Sequence, residues 1–175
     1  MMRSLFLLPI LVALAACTAF PSYRDQSVPI SSMAVFDPAR YAGTWYEVAR
    51  FPVPFQAGCS QTRAEYGLRD DGALSVRNIC VKDGARDVIE GQASVVGPGR
   101  LKVQLGAMPF AADYWVLWVD ADYRTAVVGV PSGRAGWILN RDPQMPIDRL
   151  RAAIDVLEFN GYDASQLIYT EQGGR

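Results

Sequence analysis

The amino-acid sequence predicts an all-β fold, an eight-stranded antiparallel up-and-down β-barrel with one C-terminal α-helix packed outside it. Three observations support this prediction. Between Gly43 and Arg141, about eight short runs are rich in β-favouring residues. Tight turn sequences separate the runs, and one amphipathic helical pattern follows the last of them. Short strands joined in this way form a meander, which closes into a barrel.

The predicted strands follow one another along the chain. They cover residues 43–51, 61–68, 73–80, 87–96, 100–105, 114–119, 123–130 and 137–141. Several of the connections are typical of hairpins: Asp71-Gly72, Gly97-Pro98-Gly99 and Asp120-Ala121-Asp122. A barrel of about eight strands is just wide enough to enclose a small ligand.

A helix is predicted after the strands because apolar residues recur there at helical spacing: Ile147, Leu150, Ile154 and Leu157. Pro146 suits the first helical turn, and Asn160-Gly161 suits the C-terminal end. The helix has a single apolar stripe, so we expect it to pack on the outside of the barrel. Residues 166–170 are predicted to add an edge strand.

The composition excludes several classes of function. The chain has 17 basic and 18 acidic residues, a net charge of −1, which argues against a nucleic-acid binder with a broad basic surface. It has no histidine, which excludes Ser-His-Asp and Cys-His catalysis and histidine-ligated metals. We expect neither a metal nor a cofactor. Half of the residues are hydrophobic, which is too many for a disordered chain.

The N-terminus has the pattern of a secretion signal. Arg3 precedes an apolar run, residues 5–16, that is shorter than the roughly 20 residues of a membrane-spanning helix. The run ends in Leu14-Ala15-Ala16-Cys17, which resembles the lipobox of bacterial lipoproteins. In that family the cysteine is acylated and becomes the first residue, and Thr18, in place of Asp, favours the outer membrane. The alternative is an ordinary secretion signal with an incidental cysteine.

The chain is therefore expected to have three parts: a lipoprotein signal peptide (1–16), a lipidated N-terminus with a tether (17–36) and a folded domain (37–171). Residues 18–33 are polar, contain serine and proline and show no periodicity, which is typical of a linker. Several acyl chains hold a protein firmly on a bilayer, whereas one chain does so only marginally.

Three motifs resemble the signature of the lipocalin family and occur in its order. Gly43-Thr44-Trp45 resembles the first-strand motif, residues 120–123 (DADY) resemble the second, and residues 137–141 (WILNR) resemble the third, with its arginine on the last strand. The second motif departs from the family pattern, because Ala126 stands where another tyrosine is usual. The resemblance covers residues 37–171 and points to bacterial outer-membrane lipoprotein lipocalins and to relatives similar to apolipoprotein D.

The resemblance implies structural roles for Gly43, Trp45 and Arg141. In this fold Trp45 and Arg141 meet at the closed end of the barrel, where a guanidinium over an indole ring makes a cation–π contact of about 0.5–2 kcal/mol. The remaining donors of the guanidinium are expected to bind carbonyl groups of the segment before the first strand. We interpret these residues as parts of a fold signature and not as catalytic groups.

The ligand site is expected inside the barrel, because alternate side chains of each strand point inward. In lipocalins similar to apolipoprotein D, the residues that match Tyr66, Asn78 and Trp137 contact an apolar ligand. From strand parity we add three candidates: Val103, Tyr114 and Val116. An outward-facing Tyr114 is an equal alternative. Such a pocket suits a fatty acid or a lysophospholipid, with the Tyr66 hydroxyl and the Asn78 amide available to a head group.

Cys59 and Cys80 form an even pair once Cys17 is assigned to lipidation. Strand pairing across the Asp71-Gly72 turn brings them close together and predicts a disulfide at the open end of the barrel. In the chain-entropy model, closing a loop of about twenty residues stabilises the fold by roughly 3 kcal/mol. The alternative is a nucleophilic thiol, as in the lipocalin-type prostaglandin isomerase. We favour the disulfide because neither a histidine nor a lysine-rich stretch is present to activate a thiol.

Glu47 shares its parity with Trp45 and is expected to point into the barrel. As a general base it would need a partner acid, a nucleophile or a metal cluster, and the sequence shows none of these beside it. We therefore interpret Glu47 as a carboxylate paired with a nearby arginine or with backbone donors.

Residues 52–58 (PVPFQAG) join the first two strands and are predicted to form a lid over the open end. Two prolines stiffen this lid segment, and Phe51 and Phe55 give it an apolar surface that can touch membrane lipid or an incoming ligand. A core-packing role for Phe51 is an equal alternative.

Two classes of function remain, and a third is left open. The first is a non-catalytic carrier that holds fatty acids or lysophospholipids for storage or transport at the periplasmic face of the outer membrane. The second is an enzyme, such as an isomerase acting on a lipid in the same cavity, which the lack of histidine and of a nucleophile pair disfavours. The third is a structural lipoprotein with a filled barrel. The expected partners are the acyl ligand, the outer membrane through the lipid anchor, and a second copy of the chain in a homodimer.

Overall fold

The computed structural model describes residues 21–173, so the predicted signal peptide and Cys17 lie outside the described residues. The α-helices are α1 (Pro38–Tyr41) and α2 (Ile147–Phe159). The strands are β1 (Gly43–Arg50), β2 (Ser60–Leu68), β3 (Leu74–Lys82), β4 (Ala85–Gly97), β5 (Arg100–Leu105), β6 (Ala112–Val119), β7 (Thr125–Gly129), β8 (Gly136–Asn140) and β9 (Ile168–Tyr169). Within residues 21–173, no helix is long and apolar enough to cross a membrane.

The strands form one antiparallel sheet that closes on itself. Neighbouring strands from β2 to β8 pair in chain order, β8 pairs with β1, and β1 pairs with β2, which closes an eight-stranded barrel. β9 is additional and pairs with the end of β1, through Ala49↔Tyr169 and Arg50↔Ile168. The predicted fold class is therefore confirmed, with α2 outside the barrel and β9 as an extra strand.

The strand bounds differ from the predicted ones by at most two residues, and the start of β7 shows one cause of such a difference. β7 begins at Thr125, two residues later than predicted. Tyr123 has a positive φ of 55°, and its N–H donates to the carbonyl oxygen of Asp120 at 2.9 Å. Tyr123 is therefore part of this tight turn, although the alternating pattern predicted it to be the first residue of β7.

Alternate residues of the strands divide between two apolar clusters. The inward-facing cluster occupies the interior of the barrel and includes Trp45, Leu101 and Val128. The outward-facing cluster lies under α2 and includes Val127 and Leu157. Val127 and Val128 are neighbours in β7 and yet belong to different clusters, as the alternation of side chains along a strand requires.

The residues around α1 close one end of the barrel. The Arg141 guanidinium lies 3.8 Å from the centre of the Trp45 ring. It also donates to carbonyl oxygens around α1, those of Arg40 (2.8 Å), Ala42 (2.9 Å) and Thr44 (2.9 Å). Gly43 has a φ of 101°, and a Cβ atom there would lie 3.0 Å from Arg141 Nη1, so this position requires glycine.

Residues 21–36, which we call the N-terminal strap, pack against the outside of the barrel. Tyr23 is buried, and its ring stacks on Phe51 with 5.1 Å between the ring centres. Arg24 is also buried and donates to the carbonyl oxygens of Pro131 and Asn160. The sequence assigned these residues to the tether. Over residues 21–36 the structure shows a bound segment instead, because these two side chains and backbone hydrogen bonds to the barrel hold it in place.

Candidate ligand-binding cavity

The barrel contains a cavity of about 950 Å³, and part of its wall belongs to the inward-facing cluster. Its walls come from β1 to β6 and from β8, and its rim includes the connections from β1 to β2 and from β5 to β6. We call this open end the mouth and the end at α1 the base. The barrel is therefore hollow, and the filled barrel that the sequence left open is excluded.

Five of the six predicted ligand-binding residues line the cavity: Tyr66, Asn78, Val103, Tyr114 and Trp137. Tyr114 points into the barrel, so the alternative of an outward-facing Tyr114 is wrong. The sixth residue, Val116, faces inward as its parity predicts, but it is fully buried in the packed base. Parity predicts which side a residue faces and not how deep it lies, so Val116 is not a wall residue. Contact of the other five with a ligand stays a prediction.

Three tyrosine hydroxyl groups meet at the floor of the cavity. Tyr66 donates to the hydroxyl of Tyr114 at 2.9 Å, and the hydroxyl groups of Tyr114 and Tyr41 lie 2.9 Å apart. Burial raises the pKa of Tyr66 to about 12 and raises the pKa values of Tyr41 and Tyr114 well above 10, so all three are neutral. Each of the three hydroxyl groups has one proton, and two of these protons are used in the two hydrogen bonds within the cluster. The third proton can be donated to an acceptor outside it.

Glu47 and Arg50 form a buried ion pair on the mouth side of the cavity, with 2.9 Å between Glu47 Oε1 and Arg50 Nη1. Gln56 Nε2 donates to Glu47 Oε2 at 2.7 Å, and the Thr170 hydroxyl donates to Oε1 at 2.5 Å. Both carboxylate oxygens therefore accept from a donor. This arrangement agrees with the interpretation of Glu47 as a paired carboxylate and not as a general base.

A β-bulge explains why Arg50 was not among the predicted site residues. Glu47 pairs with Leu139, but the register shifts before Ala49, so that Arg50 pairs with Trp137 on the same inner face. Regular alternation from Glu47 would turn Arg50 outward. The only sequence signal is an arginine three residues after an inward-facing glutamate, and that signal is weak.

Phe51 does not belong to the lid segment. It is fully buried outside the barrel, where its ring stacks between those of Tyr23 and Tyr162 with centres 5.1 Å and 5.0 Å away. Phe55, in contrast, is 64% exposed at the mouth. The core-packing alternative for Phe51 is therefore the right one, and Phe55 alone gives the lid segment its exposed aromatic ring.

Two fixed points hold the connection between β1 and β2 at the mouth. The side-chain oxygen of Gln56 accepts from the Trp137 indole N–H at 3.0 Å, while its amide donates to Glu47. Cys59 forms a disulfide with Cys80 across a sequence separation of 21 residues, which confirms the predicted pairing. Both cysteines line the mouth, so the disulfide joins the residue that follows the lid segment to the mouth end of β3.

The C-terminal residues complete the wall between β1 and β2. Pairing of these strands ends at Tyr46↔Arg63. Beyond that point, Gln172 Nε2 donates to the carbonyl oxygens of Glu47 (2.6 Å) and Thr62 (2.8 Å), one on each strand. Sequence patterns did not predict this contact, because residues 171–173 have neither strand nor helix periodicity.

The charged groups of the cavity lie toward the mouth. Besides the Glu47–Arg50 pair, four charged residues contribute to the lining: Arg63, Asp87, Asp113 and Arg134. In the part of the chain that the structure describes, no group of three or more His, Cys, Asp or Glu side chains is placed to hold a metal ion. The cavity thus combines an apolar interior with a polar entrance, which suits a long apolar molecule with one polar end.

Comparison with known proteins gives matches over most of the chain. The family model described as a lipocalin-like domain matches residues 36–172. Temperature-induced lipocalin-1 of Arabidopsis thaliana is 40% identical over 144 residues, which are 76% of this chain and 77% of that protein. Outer membrane lipoprotein Blc of Escherichia coli (strain K12) is 34% identical over 174 residues, which are 96% of this chain and 98% of that protein.

Among solved structures, insecticyanin from the tobacco hornworm Manduca sexta matches with a TM-score of 0.69 at 22% identity, over 87% of each chain. At this identity the likeness shows the fold alone. The family match, in contrast, spans the three sequence motifs, the whole barrel and α2. The chain therefore belongs to the lipocalin family.

Proposed function

We propose that the protein is a lipid-binding carrier lipoprotein, which holds a fatty acid or a lysophospholipid in the barrel cavity for storage or transport at the bacterial outer membrane. The observation that supports this best is the open, mainly apolar cavity of about 950 Å³. Small-molecule sites occupy about 300–1,000 Å³, so this cavity is at the large end of their range. Its size and lining suit a long acyl chain better than a small polar metabolite.

The acyl chain enters tail first. The floor offers one hydroxyl proton from the Tyr41–Tyr66–Tyr114 cluster, so a charged head group there would lose its water without adequate compensation. At the mouth a head group keeps its contact with water, and the exposed Arg134 lines the opening. A carboxylate or phosphate head group therefore stays at the mouth, while the tail lies along the apolar walls.

The proposed carrier binds its ligand reversibly and without a covalent step. Both oxygens of Glu47 accept from side-chain donors, which disfavours a role in proton transfer. Cys59 and Cys80 are joined to each other, so neither offers a thiol to a lipid in the cavity. These contacts support binding without turnover over the enzymatic alternative.

The proposed location, the periplasmic face of the outer membrane, rests on two observations. The Escherichia coli relative, matched over nearly its whole length, is named an outer membrane lipoprotein. In this chain, Leu14-Ala15-Ala16-Cys17 has the lipobox pattern. We propose that Cys17 is acylated, which mass spectrometry of the N-terminal peptide tests; an unmodified cysteine would contradict it. The predicted homodimer stays a prediction, and sedimentation of the purified protein tests it.

Two matched variants on β5 test the binding site. Val103 lines the cavity, whereas Lys102 beside it is exposed on the outer face. Val103→Trp fills part of the cavity, and we expect it to weaken binding of the fluorescent fatty acid cis-parinaric acid by about tenfold or more, while Lys102→Trp changes it by less than about twofold. Equal affinities of the two variants would contradict the proposed site. Lipid extracted from the purified protein and identified by mass spectrometry then gives the natural ligand.

A further inference from the structure

The N-terminal strap meets the barrel at the mouth and not at the base. Pro21, the first described residue, lines the cavity. The N–H of Tyr23 donates to the carbonyl oxygen of Gly133 at 2.8 Å, and its hydroxyl donates to that of Pro52 at 2.9 Å. Gly133 and Pro52 lie in the connections from β7 to β8 and from β1 to β2, both at the mouth. From there the strap runs along the outside of the barrel to α1 at the base.

Arg24 fixes the point at which the strap leaves the barrel. Its side chain lies inside the protein, with only 7% of the residue exposed. The guanidinium donates to the carbonyl oxygens of Val28, Pro131 and Asn160, which belong to the strap, the mouth and the end of α2. Detaching the strap would take the guanidinium away and leave the carbonyl oxygens of Pro131 and Asn160 without this donor. The chain therefore leaves the barrel at a fixed place beside the mouth.

The length of chain between Cys17 and Pro21 limits how far an acyl group on Cys17 can lie from the mouth. Four residues span at most about 14 Å when fully extended. The nine residues of β3 rise about 30 Å along the strand, or about 23 Å along the barrel axis at a tilt of about 40°. An anchor at Cys17 therefore reaches the bilayer beside the mouth and not beside the base.

The rim of the mouth presents apolar side chains to the same bilayer. Phe55 and Phe110 are each 64% exposed. Phe55 lies between β1 and β2 and Phe110 between β5 and β6, which are opposite positions in an eight-stranded barrel. Both connections, residues 51–59 and 106–111, are free of charged residues. They can enter a lipid surface without removing a charge from water.

We propose that the mouth docks on the bilayer, with Phe55 and Phe110 inserted into the interfacial region. The barrel then stands upright on the membrane, and the acyl ligand passes between the leaflet and the cavity without crossing bulk water. The proposal deepens the carrier function above and rests on the acylation of Cys17. The occupant of the rim is a phospholipid surface, because an anchor of this length brings the rim to the bilayer and leaves little room for a protein between them.

Fluorescence quenching in vesicles tests this orientation. The full-length protein, acylated at Cys17, is placed in vesicles of phosphatidylethanolamine and phosphatidylglycerol that contain doxyl-labelled phosphatidylcholine. A fluorophore is attached either to Ser132→Cys at the mouth or to Asp70→Cys in the turn between β2 and β3 at the base, and both positions are exposed. We expect several-fold stronger quenching at the mouth. Equal quenching at the two positions, or stronger quenching at the base, would overturn the proposal.

Rim variants separate docking from anchoring. Phe55→Asp combined with Phe110→Asp places two carboxylates on the rim, and we expect the mouth label to lose most of its quenching while the protein stays anchored. The matched control is Val35→Asp, an exposed apolar position near the base, which is expected to leave the quenching unchanged. Wild-type quenching in the double rim variant would show that Phe55 and Phe110 do not insert, and would overturn the docking surface.

The same protein distinguishes this proposal from the carrier proposal. Titration with cis-parinaric acid measures ligand binding independently of orientation. Binding without preferential quenching at the mouth overturns the docking and leaves the carrier function intact. Preferential quenching without binding overturns the carrier function and leaves the docking intact. A Cys17 peptide without acyl mass removes the anchor and overturns the upright arrangement.

Discussion

Glu47 and Arg50 form a buried ion pair, although they lie only three positions apart on one β-strand. In a regular strand, two residues at that spacing face opposite sides of the sheet. The bulge between Glu47 and Ala49 returns Arg50 to the inner face. Gln56 and Thr170 bind the same carboxylate, so the ion pair joins β1 both to the lid segment and to the C-terminal residues.

We expect Arg50→Met to lower the free energy of unfolding by about 3–5 kcal/mol, because it leaves the Glu47 carboxylate buried without its cation. Glu47→Gln combined with Arg50→Met removes both charges, and this double variant is expected to lose less than the single variant. Urea unfolding followed by tryptophan fluorescence measures both losses. A double variant that loses as much as Arg50→Met, or more, would contradict the coupling of the two residues.

The barrel could be predicted from the sequence, whereas the ion pair inside it could not. Alternation and turns such as Asp71-Gly72 are local signals, and consecutive hairpins then set the strand order. A bulge changes the backbone by one residue without changing the composition of the strand, so the pattern did not reveal Arg50. The alternation of side chains also gives no information on how deep a residue lies in the barrel. Val116 was therefore predicted to be in the cavity wall, whereas it lies in the packed base.

The strap and the C-terminal residues were not predicted for a different reason. Their contacts combine isolated backbone hydrogen bonds with single side chains, such as Arg24 and Gln172, that bind backbone carbonyls far away in the sequence. Such contacts require no periodicity, because one donor group is enough to hold an irregular segment. The polar, aperiodic composition of residues 18–33 was therefore interpreted as that of a linker.

The tyrosine cluster predicts a loss of stability at alkaline pH. The pKa of Tyr66 is about 12 in the folded protein, against 10 for an exposed tyrosine, because burial disfavours the phenolate. The unfolded chain therefore loses this proton first, so the contribution is complete below pH 10 and is lost as the pH rises toward 12. At pH 11 the expected loss is about 1 kcal/mol. Tyr66→Phe should reduce the decline measured by urea unfolding at pH 9 and pH 11.

Tyr169 provides the matched control for this pH dependence. It is exposed, so its hydroxyl contacts water in the folded and the unfolded chain alike. Tyr169→Phe is therefore expected to leave the decline between pH 9 and pH 11 as it is in the wild type. An undiminished decline in Tyr66→Phe would show that other groups titrate over this range and that burial of Tyr66 has no part in it.

The disulfide between Cys59 and Cys80 is expected to stabilise the fold by about 3 kcal/mol, because it closes a loop with a sequence separation of 21 residues. Replacing both cysteines by serine should lower the free energy of unfolding by that amount. Dithiothreitol should destabilise the wild type to the same degree and leave the variant unchanged. A variant as stable as the oxidised wild type would show that the pairing of β2 with β3 already restricts this loop.

Gln172 is expected to stabilise the wall between β1 and β2, where direct pairing of the strands has ended. Its amide donates to the carbonyl oxygens of Glu47 and Thr62 at 2.6 Å and 2.8 Å. Gln172→Ala removes both hydrogen bonds, and we expect a loss of about 1–3 kcal/mol in the free energy of unfolding. Amide hydrogen exchange should also become faster in β1 between residues 47 and 50, because the gap then opens more often.

Glu171→Ala is the matched control for Gln172→Ala. The side chain of Glu171 is exposed, and the residue contacts the barrel through its backbone, whose carbonyl oxygen accepts from Gln61 N–H at 2.7 Å. Alanine keeps that carbonyl, so stability and exchange in β1 should stay close to wild type. If the two variants have the same free energy of unfolding and the same exchange rates in β1, the Gln172 amide does not stabilise the wall. In that case the backbone contacts alone hold the C-terminal residues between β1 and β2.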